Sequence, residues 1–176
     1  MREKSLSAGG TARRDRWDLR YRPIKGRQIY RSSDPQESAI ARRDIGHYEE
    51  MLRINPNDNQ GLRYPLLGLY LLADNLEGVR RLFKEFDDEG SAVFAWSLVL
   101  ERHLSGDESG AAKALKEARK CNKHAEKYLT GKKAMPKKLP PYYGIGDENE
   151  ALVCADSIGE AWKRYPKAVE WLKQAR

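Results

Sequence analysis

Histidines, cysteines and clustered acids are the residues in this sequence that could carry catalysis or bind a metal. The three histidines do not form HExxH or a similar spacing that would place two imidazoles on one metal. We therefore expect no metal site, and we expect these residues on helix faces or at helix ends: His47, His103 and His124. Cys121 and Cys154 lack the CxxC spacing of a zinc or redox motif. They are interpreted as small apolar residues of a core, because buried cysteine behaves in this way.

Two other stretches have residue types that could act on a substrate or hold an anion. Residues 87–89 are consecutive acids, but nothing pairs a general acid with a base in one cleft, so we interpret them as a solvated turn with a capping acid. Residues 144–147 precede a predicted helix and could cradle an anion. They follow no strand and lack the Lys-Ser/Thr pair of a phosphate loop, so we interpret them as a turn into a capped helix. We predict no cofactor and no enzymatic activity.

Arg63 is the residue for which the sequence leaves two roles open. Its fork of N–H donors suits a carboxylate, and Asn59 and Gln60 lie in the same turn. In one interpretation Arg63 binds a carboxylate of a partner protein. In the other, which we favour, the three residues form an internal lock with carbonyls and acids of neighbouring turns.

The segment 52–64, which carries Arg63, is predicted to join two helices. Pro56 has no N–H and disfavours helical backbone in the residue before it, so the first helix must stop there. Asn57 or Asp58 can then accept hydrogen bonds from N–H groups at the start of the second helix. A helix–turn–helix of this kind is the unit of a stacked helical repeat.

Apolar residues at helical spacing predict further helices along the chain. The predicted helices cover 35–54, 58–73, 76–87, 91–104 and 108–120, with one ending near Leu129, one following Asp147 and one opening at Pro166. Pro65 lies inside the second helix, so we expect a kink near Gly61 or a start only at Tyr64. Asp147 and Glu150 have the spacing of a capping box.

A repeat is visible in Gly46, Gly78 and Gly110, which follow one another at intervals of 32 residues. Each is expected to lie on the first helix of a pair, where a small residue lets the paired helix approach closely. A period in the thirties with two helices per unit is typical of tetratricopeptide arrays. We therefore predict an all-α fold, a right-handed stack of three to four antiparallel helix pairs forming an α-solenoid.

Four stretches, at 48–64, 122–131, 140–143 and 146–151, carry a resemblance to a known family. The first contains NPNDNQGLRY, which looks like the signature of a family of tetratricopeptide-like proteins, most of them bacterial. A similar late block occurs in the suppression-of-tumorigenicity-seven family. The resemblance covers about residues 39–175, and it implies a helical interaction scaffold without catalytic residues. Pro65 departs from the pattern, which usually has an aliphatic residue there.

The net charge of +7 is concentrated in two places. Residues 1–38 hold ten Lys and Arg against five Asp and Glu, and residues 131–143 hold four Lys and no acid. We predict a basic, partly disordered arm at 1–34 and one helical-repeat domain at 35–176, with a loop at 131–146. We find no signal peptide and no apolar run long enough to span a bilayer, so we predict a soluble, cytoplasmic protein without a membrane partner.

The hypothesis that we favour is a non-catalytic scaffold that binds another protein. Stacked helix pairs leave a groove lined by the first helix of each pair, which can hold a peptide or a helix. A basic lining would prefer an acidic partner. The candidate residues are Arg63 and six that we expect to face away from the core: His47, Met51, Arg80, Lys84, Lys113 and Lys116.

The alternative is binding of a nucleic acid, RNA above all, by the arm and the loop. Aromatic residues alternate with arginines in the arm, as they do in single-strand binders. The candidate residues are Arg13, Arg14, Arg16, Trp17, Arg20, Lys132, Lys133, Lys137 and Lys138. A structural subunit of a larger assembly is the remaining hypothesis.

Overall fold

The structure of the protein, a computed structural model, describes residues 35–175, with side chains from Ala41 onward. This part of the chain is helical and contains no strand, which confirms the predicted all-α class. Its helices are α1 (Pro35–Ile54), α2 (Arg63–Leu72), α3 (Leu76–Glu85), α4 (Ala92–Leu104), α5 (Glu108–Cys121), α6 (Ala125–Leu129), α7 (Glu148–Arg164) and α8 (Pro166–Gln174). The arm predicted at 1–34 lies outside the described residues.

The turn between α1 and α2 is longer than predicted. Asp58 and Gly61 both have positive φ, 42° and 70°, so the backbone between them cannot be helical. The carboxylate of Asp58 accepts hydrogen bonds from the N–H groups of Leu62 (2.7 Å) and Arg63 (3.0 Å). The helix predicted from residue 58 therefore begins only at Arg63, close to the later start that Pro65 made us consider.

Most of the other helices begin at a capping side chain that accepts a hydrogen bond from the N–H three residues further on. This holds for α3, α4, α5 and α7, whose caps are Asn75, Ser91, Asp107 and Asp147. The capping box expected at α7 is incomplete, because the N–H of Asp147 donates to the Gly144 carbonyl (3.2 Å). The side-chain carboxylate of Glu150 therefore bonds with other elements instead of with the N–H of Asp147.

Helix α7 connects parts of the fold that are distant in sequence. It packs against α2 and α4 and also contacts α6 and α8. The first five helices contact one another in chain order, α1 with α2, α2 with α3, α3 with α4, and α4 with α5. The contact between α2 and α7 does not follow chain order. The predicted right-handed stack of three to four helix pairs stays a prediction.

The core lies where α2, α4 and α7 meet. Trp96 on α4, Trp162 on α7 and Leu67 on α2 are fully buried, and Tyr70 on α2 is nearly so. Burial of each large apolar side chain contributes about 1.5–3 kcal/mol. Helix α2 is buried on most of its circumference, because α1, α3, α4 and α7 all contact it.

The regularly spaced glycines do not share the role that we predicted for them. Among the described residues, nothing lies within 4 Å of the position of a Cβ at Gly46, and a Cβ at Gly110 would meet only the Asp107 side chain of its own cap. Only Gly78 adjoins another helix, through the ring of Tyr70 at 2.7 Å. The expectation of close helix approach was therefore wrong for Gly46 and Gly110.

Close helix approach occurs instead at Gly68, where α2 meets α7. A Cβ at this position would overlap the backbone carbonyl oxygen of Ser157. We expect Gly68→Ala to lower the free energy of unfolding by about 1–3 kcal/mol, because the two helices must move apart. Gly46→Ala is the matched control, and should raise stability by about 0.5–1 kcal/mol since the site is open and helical. Urea unfolding measures the change in the free energy of unfolding of each variant. Changes of the same sign and size would contradict the tight α2–α7 contact.

Candidate functional site

Polar residues from the turns between helices form two hydrogen-bonded groups that meet at the start of α4. We call them together the turn network. Their members are Asp58, Arg63, Tyr64, Glu89, Asn122, Tyr143 and Glu150. The network joins the turn before α2, the turn before α4, the α5–α6 turn and the loop at 131–146. Its members are up to about ninety residues apart in the sequence.

Arg63 is the centre of the first group. Its Nη1 lies 2.9 Å from Asp58 Oδ2, and its Nε donates to Glu89 Oε2 at 2.7 Å. The side chains of Arg63, Asp58 and Glu89 are 9%, 0% and 13% exposed. Burial alone would lower the pKa of Arg63, but the neighbouring Tyr64, Glu89 and Asp58 raise that pKa above its ordinary value. Arg63 thus holds the turn before α2 to the turn before α4.

Tyr64 and Tyr143 extend this group towards the loop at 131–146. The hydroxyl of Tyr64 lies 3.2 Å from Glu89 Oε2, and Tyr143 lies beside Tyr64. Burial, followed by the nearby Tyr64 and Glu150, raises the pKa of Tyr143. Its phenol stays protonated at neutral pH and therefore acts as a hydrogen-bonding group without charge.

Glu150 is the centre of the second group and is 1% exposed. Its Oε1 accepts from the Ala92 N–H (2.9 Å), and its Oε2 accepts from Asn122 Nδ2 (2.9 Å) and the Gly146 N–H (2.7 Å). One carboxylate thus joins α7 to the start of α4, to the α5–α6 turn and to the end of the loop. Charge-assisted hydrogen bonds of this kind are the stronger ones in proteins.

The two cysteines lie beside the same start of α4. Cys121 Sγ is 3.2 Å from the Gly90 carbonyl oxygen, and Cys154 Sγ is 3.5 Å from that of Ala92. Burial raises the pKa of Cys121 to about 11 and that of Cys154 well above its usual range. Both thiols are therefore protonated at neutral pH and weak as nucleophiles.

The histidines are dispersed over the described residues. His47 is exposed, and His124 is half-buried before α6. His103 lies against Trp171 with ring centroids 4.9 Å apart, and burial lowers its pKa. Among residues 41–175, no group of three or more His, Cys, Asp and Glu side chains is arranged to hold a metal ion.

The residues predicted to bind a protein partner have different surroundings. His47, Lys84, Lys113 and Lys116 are exposed on α1, α3 and α5. Met51 is half-buried and packs in part against the core, so the expectation that it faces away from the core was wrong. Arg80 donates from Nε to Glu101 and from Nη2 to Ser105, each at 2.7 Å, while its side chain stays 56% exposed.

The residues predicted to bind nucleic acid are only partly described. Those of the arm, from Arg13 to Arg20, lie outside the described residues. In the loop, Lys132, Lys137 and Lys138 are exposed, whereas Lys133 Nζ donates to Glu148 Oε1 at 2.6 Å. The four lysines are therefore not equivalent.

No family model, curated protein or solved structure matches this chain. The resemblance to tetratricopeptide-like proteins stays a prediction. None of the helices in the described part of the chain is long and apolar enough to cross a membrane.

Sequence reasoning did not identify most of the turn network. Asn122, Tyr143 and Glu150 belong to the late stretches that carry the resemblance, which was the available signal for them. Glu89 was interpreted as part of a solvated turn, and Asn59 and Gln60 were expected in the lock but are exposed. Arg63 bonds to Asp58 of its own turn and to Glu89 of a turn that the sequence does not mark as adjacent.

Proposed function

We propose that the protein is a cytoplasmic, non-catalytic scaffold that binds an acidic segment of another protein. The packing of α1, α3 and α5 around α2 and α4 supports this proposal. Helix α7 occupies another side of α2 and α4, and two neighbours cannot share one sector of a helix. Within the described residues, we infer that the outer faces of α1, α3 and α5 stay open on the side away from α7.

The charge on these open faces favours an acidic partner. Lys84 on α3 and Lys113 and Lys116 on α5 are exposed. Glu85, Glu108 and Glu117 are exposed on the same two helices, but Lys and Arg outnumber the acids on each. An excess of one sign of charge increases the association rate of a partner of opposite sign. In a tetratricopeptide-like stack, which we propose for α1 to α5, this face would be the binding groove.

The turn network supports a structural role for Arg63 in such a scaffold. Every donor group of Arg63 has an acceptor or a ring nearby within the chain. A scaffold that binds by shape needs its helices at fixed positions before the partner arrives, which reduces the entropy cost of binding. We therefore interpret Arg63 as the internal lock and assign partner contact to the exposed lysines.

Fluorescence anisotropy with two labelled probes tests this function. The probes are a Glu-rich amphipathic helical peptide and a single-stranded RNA of mixed sequence. We expect the full chain to bind the peptide with an affinity that falls as salt rises. The variant Lys84→Glu/Lys113→Glu/Lys116→Glu should bind about tenfold more weakly or worse.

A matched charge reversal on α8, Lys167→Glu/Lys173→Glu, is the control and should leave the affinity unchanged within about twofold, as rim charges outside a contact do little. Binding of the RNA without binding of the peptide would contradict the proposal and support the nucleic-acid hypothesis. Equal peptide affinity in the wild type and the triple variant would show that these faces are not the groove.

A further inference from the structure

The loop at 131–146 has apolar side chains on two sides. Met135, Leu139 and Tyr143 are half-buried, the first two against the core and the third against Tyr64. Two other large apolar residues point outward, and their exposures are among the highest of their type in the described chain: Tyr142 at 62% and Ile145 at 84%. At these exposures the outward pair contributes little to the packing of the loop.

The base of the loop is fixed against the first turn of α7. The Lys133 N–H donates to the Lys127 carbonyl (2.8 Å), and Lys133 Nζ donates to Glu148 Oε1 (2.6 Å). Hydrogen bonds from Lys127, Lys133 and Tyr128 lower the pKa of Glu148 to about 2. This carboxylate is therefore ionised at neutral pH, and the ion pairs persist.

The tip of the loop is fixed equally well. Asn149 Nδ2 donates to the Tyr142 carbonyl (3.2 Å), and the Gly144 N–H donates to Asp147 Oδ2 (2.7 Å). The Gly146 N–H donates to Glu150 Oε2 at 2.7 Å. Ile145 is thus displayed by a backbone that is held on both sides, and its exposure is a feature of the fold.

The charged side chains of the loop itself all have one sign, and the acids that follow it are bonded within the chain, Asp147 to the Gly144 N–H and Glu148 to Lys127 and Lys133. The loop segment 131–143 contains four lysines and no acid. Lys133 is bonded to Glu148, and the other three are exposed: Lys132, Lys137 and Lys138. An apolar pair on a lysine-rich loop is complementary to an apolar side chain flanked by acidic residues.

We propose that the outward side of this loop, formed by Tyr142 and Ile145 with Lys137 and Lys138, is a docking site for another protein. The segment bound there carries at least one large apolar residue among Asp and Glu residues. Tyrosine is enriched among residues that contribute most to binding, and a loop that is already ordered loses little entropy on binding. A second copy of this chain, paired symmetrically, would bring the same lysines together and be repelled.

Selection of peptides on the immobilised full-length chain from a random display library tests the proposal. We expect the selected peptides to be enriched in Asp and Glu around Leu, Ile, Phe or Trp. As synthetic peptides, they should bind Tyr142→Ser/Ile145→Ser about tenfold more weakly than the wild type. They should bind Lys137→Glu/Lys138→Glu as weakly and with less dependence on salt. The outward side chains contribute little to packing, so both variants should keep the wild-type melting temperature.

Two controls separate this surface from the faces of α1, α3 and α5. Ile54→Ser removes another exposed aliphatic side chain, 70% exposed at the end of α1, and should leave the affinity unchanged. The variant Lys84→Glu/Lys113→Glu/Lys116→Glu should also leave it unchanged. If that triple variant alone abolishes binding, the loop proposal is overturned while the proposed function stands.

Selected peptides without acidic enrichment, or no selected peptide at all, would overturn the loop proposal. Binding of the chain to phosphatidylserine-containing vesicles, lost in Tyr142→Ser/Ile145→Ser, would also overturn it. That result would assign the loop to an anionic lipid surface.

Discussion

Replacement of Arg63 by alanine should lower the free energy of unfolding by about 3–5 kcal/mol, because two buried carboxylates would lose their cation. Arg63 bonds to Asp58 and Glu89 at 2.9 and 2.7 Å. Asp58 is 0% exposed, so its charge cannot reach water unless the turn opens. For a chain of this size, the loss corresponds to a fall of about 10 °C in melting temperature. Urea unfolding followed by circular dichroism measures it.

Arg53→Ala is the matched control for this experiment. Arg53 bonds to Glu50 at 2.6 Å, but the two side chains are 71% and 52% exposed. Exposed pairs of this kind contribute little, so we expect a change below about 0.5 kcal/mol. Arg63→Lys should recover only part of the loss, since an ammonium lacks the planar fork that bridges two carboxylates.

Two outcomes would contradict the internal lock. Equal, small effects of Arg63→Ala and Arg53→Ala would show that the buried pair is not needed for folding. Loss of partner binding at an unchanged melting temperature would make Arg63 a binding residue, the role that the sequence left open.

The helix boundaries could be predicted because local chemistry determines them. The structure confirms that α1 ends just before Pro56 and that Pro166 opens α8. These effects act within about four residues, which is the range that a single sequence reveals. The start of α2 was misplaced because the positive φ angle of Asp58 is not marked by a glycine.

The packing of α7 on α2 could not be predicted from the same patterns. The apolar faces of both helices are visible in the sequence, but nothing in them specifies which faces meet. Gly68 makes the contact possible, yet the sequence gives it no more prominence than Gly46, which has open space around it. Periodic spacing indicated close approach at three glycines, and it was wrong for two of them, Gly46 and Gly110.

The turn network depends on this long-range packing and was therefore largely missed. Glu150 was assigned to a capping box from its distance to Asp147, and that interpretation held for the N–H of Glu150, which donates to Asp147 Oδ1 (2.8 Å). Its carboxylate has its partners on α4 and in two loops. A local pattern identified the backbone role of the residue and gave no information about its side chain.

Replacement of Glu150 by glutamine should lower the free energy of unfolding by about 2–4 kcal/mol, although the two side chains have the same shape. All three bonded neighbours are donors, namely the N–H groups of Ala92 and Gly146 and Nδ2 of Asn122. An amide nitrogen in place of Oε1 would face one N–H group, and in place of Oε2 it would face two. Leaving a buried donor without an acceptor costs about 1–3 kcal/mol, and more where a charged partner is lost.

Asn122 cannot compensate by turning its own amide. Its Oδ1 accepts from the His124 N–H at 2.9 Å, and its Nδ2 also donates to the Asp147 carbonyl at 2.8 Å. Rotation of the amide would break both of these bonds in order to restore one. The cost of Glu150→Gln should therefore persist after the structure relaxes.

Glu160→Gln on the same helix is the control. Glu160 accepts from Lys163 at 2.7 Å, with the side chains 50% and 63% exposed, so we expect a change below about 0.5 kcal/mol. Urea unfolding at neutral pH measures both variants. If Glu150→Gln is as mild as Glu160→Gln, the carboxylate does not join the start of α4 to the loop, and the order that we assign to the loop tip loses its main support.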